Sequence, residues 1–143
     1  HVNMRHGTVF SLTSTASGRI FGAYLAPDVV KAMLEEERRR AGAGDEPGMP
    51  PAPAIPPWPE FEAGLEEVRR HGLSRSEGEV IPGINAMSAP VFDHTGAIVL
   101  ALTVIGPAGV LDTAWEGPLA QALSRCAGEV SQRLGALAVR PAS

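Results

Sequence analysis

Apolar positions along the chain recur with helical spacing in four stretches and alternate with strand spacing in one. Ile20, Phe21, Tyr24 and Leu25 share a face of a short helix that opens after the hydroxyl-rich run Thr13, Ser14, Thr15 and Ser17, each able to cap it. Gly18 and Gly22 weaken that helix. Ala26-Pro27-Asp28 restarts a helix, with proline in its first turn and Val29, Val30, Met33 and Leu34 as its stripe. Glu35 to Glu37 then precede Arg38 to Arg40, an arrangement that predicts ion pairs three and four residues apart on a solvated face. Phe61, Leu65 and Val68 predict a helix over 60–71, with Gly72 as its C-terminal cap. From Pro118 onward, Leu119, Leu123, Cys126, Val130, Leu134 and Leu137 mark a long amphipathic helix.

Between these helices, residues 84–93 and 97–105 flank the turn His94-Thr95-Gly96, which predicts a β-hairpin. Pro90 pushes its first strand towards an edge or a bulge. In the second strand Ile98, Leu100, Leu102 and Val104 point one way and Val99, Ala101, Thr103 and Ile105 the other, so both faces call for cover. Residues 1–15 read as an extended leading segment, 74–83 as a polar turn region, and the proline-rich stretch 41–59 as a loop incompatible with helix or paired strand. The hydrophobicity of the sheet suggests that further N-terminal strands are missing.

Composition narrows the possibilities. A chain of 143 residues fits one domain, and 44% hydrophobic with 20% charged residues is a globular balance. A net charge of -4 without a basic face argues against nucleic acid as the partner of this segment. The single Cys126 excludes an internal disulfide and any multi-cysteine metal site, and its place on the last helix's stripe predicts core packing. No apolar run approaches the ~20 residues of a membrane helix, and no signal peptide is visible, so a cytoplasmic protein is expected. The chain begins at His1, which suggests a processed or excised piece of something longer.

Candidate chemistry is sparse. The histidines lack metal-ligand spacing, and neither a nucleophile elbow nor a phosphate loop occurs. No cofactor and no metal are expected. Glu77 and Glu79 could serve as an acid/base pair, with His71 as a further titratable group, but alternating carboxylates in a polar segment also describe a solvated loop. The remaining feature is the helix start Thr13 to Gly18, whose free N–H groups and dipole suit a carboxylate, although ordinary capping uses the same residues.

The order of the pieces resembles a known family. Thr15-Ala16-Ser17-Gly18-Arg19 with Phe21 to Leu25, then Leu65 to Ser74 with Glu77, then Gly83 to Asp93, the Gly96 turn, Leu102 to Pro107 and a last helix ending Leu134-Gly135 are similar, in order and spacing, to the effector-binding domain of IclR-family transcription regulators. The resemblance covers residues 5–27 and 62–136. It implies an α/β (α+β) sensor domain of GAF/PAS-like shape, a curved antiparallel sheet flanked by helices, within a bacterial cytoplasmic homodimer or homotetramer. In such regulators a small effector binds here, and operator DNA is held by a winged helix-turn-helix that nothing in this chain matches. Residues 1–143 are therefore expected to be a single effector-binding domain lacking its first strands.

Carried over position by position, the family's effector contacts fall on Ala16, Ser17, Ser76, Ala86, Thr103 and Ile105. Ala86 stands where many members have cysteine and Ile105 where some have serine, which favours a larger or more apolar carboxylate, aromatic acids among them. Two alternatives stand beside this reading: a small enzyme using Glu77, Glu79 or His71, and a structural dimerisation module in which the face of Val99, Ala101 and Thr103 simply packs against helices.

Overall fold

The structure, a computed structural model, describes residues 11–43 and 54–136. Among them the order is α1 (Ala16–Tyr24), α2 (Pro27–Ala43), α3 (Trp58–His71), β1 (Ser74–Glu77), β2 (Ile84–Phe92), β3 (Ile98–Pro107) and α4 (Pro118–Arg133). The three strands form one antiparallel sheet in the order β1-β2-β3. Helices cover both faces, giving the expected α+β arrangement.

Each face has its own core. On one side Leu12, Ile20, Ala23, Val30, Leu34, Phe61, Leu65 and Val68 pack with Ile98 and Ala101. On the other, α4 lays Ala120, Leu123 and Ala127 on Leu73, Met87, Ala89 and Val91. A fully buried side chain of the Leu or Ile class contributes about 1.5–3 kcal/mol, so Ile20, Leu34 and Leu65 are major anchors of the first core.

The start of α1 is capped by Thr15, whose hydroxyl accepts from the Gly18 N–H at 2.9 Å. At its other end Arg69 of α3 donates from Nε to the Ala23 carbonyl at 2.7 Å, satisfying an acceptor that the helix itself leaves open. Burial works to lower the pKa of Arg69, but Glu62 and Glu66, both hydrogen-bonded to it, outweigh that and raise it. Burial likewise pushes the nearby Tyr24 phenol up, against the pull of Arg69. The predicted ion pairs of α2 form, Arg38 with Glu35 and both Arg39 and Arg40 with Glu36.

Several expectations need correction. Residues 74–77, read as turn, pair with β2 as a strand, because every second residue of this polar run is buried under α1. Both ends of the stretch 41–59, expected as loop, are helical: α2 continues through Ala43, and Trp58 and Pro59 already belong to α3, where proline is tolerated in the first turn, while residues 44–53 lie outside the described residues. Residues 11–15 form a tight turn rather than an extended segment, and residues 1–10, the remainder of that segment, lie outside the described residues together with Leu137. On α2 only Val30 and Leu34 of the predicted stripe are buried, while Val29 and Met33 are exposed.

Cys126 is exposed, and so is Leu134, because α4 is rotated: its buried line is Ala120, Leu123, Ala127 and Ser131. Small residues let this helix approach β2 closely, and the buried Ser131 hydroxyl accepts from the Phe92 N–H at 3.0 Å while donating to the Ala127 carbonyl. β2 is the central strand, not an edge, yet β1 pairs only with Asn85 to Ser88, so Pro90 lies beyond the end of its neighbour. Finally, Val91 pairs with Leu100 and Phe92 with Ile98, which extrudes Val99 as a bulge and moves Ile98 to the face of Ala101. Val99, Leu100 and Ile105 stay exposed, contrary to the expectation that both faces of β3 are covered.

Candidate functional site

Residues opposite one another in an antiparallel ladder share a face, and so do residues two apart. Ser74, Ser88 and Thr103 form one such row across the sheet, and Ser76, Ala86 and Ile105 form the next. Both rows face α1. The six carried-over positions therefore converge: Ala16 and Ser17 on the first turn of α1, Ser76 on β1, Ala86 on β2, and Thr103 and Ile105 on β3.

The centre of this seam is a chain of hydroxyls. Thr103 Oγ1 shares one hydrogen bond with Ser17 Oγ at 2.7 Å and another with Ser88 Oγ at 2.8 Å. Ser74, also buried, donates to the Ala16 carbonyl and so seats the helix start on the sheet. A hydroxyl offers one donor and two acceptor sites, so the Ser17–Thr103–Ser88 set retains capacity for a further polar partner. Beside it, the Ala16 and Ser17 N–H groups belong to the first turn, which an α-helix leaves without internal acceptors, whereas the Gly18 N–H is taken by Thr15. Hydroxyls, a helix N-terminus and the apolar Ala86 and Ile105 together suit a small ligand with an anionic end and an apolar body.

Ser74 and Ser88 were not singled out in the sequence. The signal was the strict alternation that places Ser74 with Ser76, and Ala86 with Ser88, on one face of two strands; the shortness of β1 concealed it.

Arg19 borders the seam on the β1 side. Its Nη2 donates to the Arg75 carbonyl and its Nη1 to Glu79 Oε2 at 3.2 Å. The residues weighed for catalysis are held apart from one another. Glu77 accepts from the Thr113 hydroxyl at 2.8 Å, Glu79 is paired with Arg19, and His71 stacks on Trp115 with ring centroids 4.1 Å apart. Arg75 lies over the same indole and donates to the Thr113 carbonyl, so this cluster clasps the connection before α4 to β1. Three titratable groups with three different partners do not form a shared acid/base centre. Among the described residues no group of three or more His, Cys, Asp or Glu could hold a metal ion. Nor, among them, is any helix long and apolar enough to cross a membrane.

Comparison with known proteins follows the same lines. The family model described as "Bacterial transcriptional regulator IclR C-terminal" matches residues 1–132. The chain is similar to HmgR of Pseudomonas aeruginosa, at 32% identity and a TM-score of 0.76, over 95% of this chain and 50% of that one. It is similar to the IclR of Thermotoga maritima at 26% identity and a TM-score of 0.71, over 94% and 51% of the respective chains. The HTH-type transcriptional repressor AllR of Klebsiella pneumoniae is 34% identical over 53 residues, 37% of this chain and 20% of that repressor. The chain thus spans about half the length of these two solved relatives.

Proposed function

Since the chain belongs to the family of bacterial transcriptional regulator IclR C-terminal domains, we propose that it is the ligand-sensing domain of such a regulator and binds a small carboxylate effector with an apolar, aromatic or aliphatic body. In this reading residues 1–143 act as one effector-binding domain of a cytoplasmic homodimer or homotetramer, without catalytic activity of its own. Operator DNA is held by a helix-turn-helix domain elsewhere in the protein.

The observation that carries the reading is the Ser17–Thr103–Ser88 hydroxyl chain, set beneath the first turn of α1 and beside Ser76, Ala86 and Ile105. The carboxylate is received by the Ala16 and Ser17 N–H groups and the hydroxyls, while Ala86 and Ile105 meet the apolar body. Regulation then follows from differential affinity: an effector shifts the balance between two arrangements of the assembly by as much as its affinity for them differs, typically about 1–3 kcal/mol.

The test is thermal unfolding of the purified chain with aliphatic and aromatic carboxylic acids at saturation. An acid at about a hundred times its dissociation constant adds roughly 2.7 kcal/mol, a rise of about 5–10 °C for a domain of this size. A selective rise with the compound recovered unchanged supports the sensor. A flat panel from a folded sample overturns it in favour of a structural module, the reading suggested by how closely Ser74 seats the Ala16 end of α1 on the sheet.

A further inference from the structure

Building on the carboxylate-sensor reading, we propose that Arg19 joins the Ala16 and Ser17 N–H groups in recognising the charge of the effector, and that Glu79 is its resident competitor, displaced when the effector carboxylate takes its place.

Three observations carry this. The first is position. The Arg75 carbonyl that holds Arg19 Nη2 belongs to the peptide unit joining Arg75 to Ser76, and the Ser76 side chain is buried in the seam beneath α1. The guanidinium therefore sits at the Ser76 side of the hydroxyl set, across from Thr103. Ser17 and Arg19, two residues apart on the same helical turn, flank the seam from opposite sides.

The second is chemistry. A guanidinium has five N–H donors in a planar fork matched to a carboxylate, and bonds to Arg75 and Glu79 leave donors for another acceptor. The Arg19 side chain is only 18% exposed, so it needs an anionic partner; its present one, Glu79, is 49% exposed. Exchanging one carboxylate for another keeps the largely buried cation paired and avoids the desolvation cost of leaving it alone. A neutral ligand of the same shape cannot make that exchange.

The third is the setting of Glu79. It lies on the short connection from Gly78 to Gly83, whose end glycines have φ of 70° and 79°, and which carries Val80 and Ile81 at 55% and 40% exposure. The ion pair to Arg19 spans 60 positions in sequence and joins α1 to that connection, unlike the local pairs along α2. Displacing Glu79 frees the connection from α1 at the moment of binding.

The experiment is thermal-shift titration of the purified chain and its Arg19→Gln and Glu79→Gln variants with benzoate, phenylacetate and pyruvate, each beside its primary amide. The wild type is expected to prefer at least one acid over its amide by about tenfold or more, as a charge-assisted pair requires. Glu79→Gln tightens that acid several-fold and leaves the amide unchanged, while Arg19→Gln removes the preference. If the acid binds Glu79→Gln no tighter than wild type and Arg19→Gln keeps the preference, the role of Arg19 is overturned and the sensor reading stands. If the wild type binds none of the six compounds, both fall. Should Arg19→Gln fail to fold, Glu79→Gln decides alone, because it retains Arg19.

Discussion

Thr103 brings a hydroxyl into the seam between α1 and the sheet, where it is the common partner of Ser17 and the buried Ser88. Replacing it with valine keeps the shape and strands both serines. Thr103→Val should therefore cost about 1–3 kcal/mol and weaken effector binding about tenfold without loss of the fold, measurable by thermal melts with and without a bound acid. Asp93 offers a second residue-scale test. Its carboxylate is held below the usual range by hydrogen bonds from the Thr95 hydroxyl and N–H, at 2.5 and 2.8 Å, with a smaller contribution from Ala97 and His94. A depressed carboxylate stabilises the fold above the unfolded-state pKa and loses that contribution as pH falls through the folded-state value. Wild type should thus melt above Asp93→Asn near about pH 7, and the two curves should converge near about pH 2. The candidate positions came from the family resemblance, and in the structure strand alternation sets Ser76, Ala86 and Ile105 in one row and Thr103 in the next on the same face. Ser74, Ser88 and Arg19 are missing from that set, since the shortness of β1 hides the alternation that puts both serines on this face, and the reach of an arginine depends on where the neighbouring strand lies.

At the scale of elements, the glycines of α1 change meaning between sequence and structure. Gly18 and Gly22 cost helix propensity, but they are where the helix is packed most tightly. A Cβ on Gly18 would sit 2.2 Å from the Ser11 carbonyl oxygen and 2.8 Å from Leu12 Cα, both backbone, whereas one on Gly22 would meet the flexible Leu65 side chain at 3.0 Å. Gly18→Ala should therefore lower stability by about 1–3 kcal/mol despite a propensity gain of about 1 kcal/mol, with Gly22→Ala closer to wild type, as denaturant melts of the two would show. The same logic explains why α4 was placed correctly but rotated. Hydrophobic periodicity counts leucine and valine, and the buried line of α4 is three small residues, Ala120, Ala127 and Ser131, with Leu123 as its one large apolar side chain. β1 escaped notice because four polar residues cannot reveal that two of them are buried by a helix whose first residue lies 58 positions before Ser74.

Over the whole molecule, the α+β class, α3 and the 84–107 hairpin were readable because they rest on local periodicity and turn chemistry. The division into two cores was not, since it depends on which helix covers which face. One detail of the hairpin bears on how this chain should be set against its relatives. With Val99 extruded, Ile98 belongs to the odd-numbered register of Ala101 and Thr103, although its own number is even. A column-by-column alignment drawn through β3 with a strand that lacks the extra residue will set interior positions against exterior ones on one side of Val99. A single-column gap there restores parity, and substitution patterns in this strand carry structural meaning only once it has been inserted.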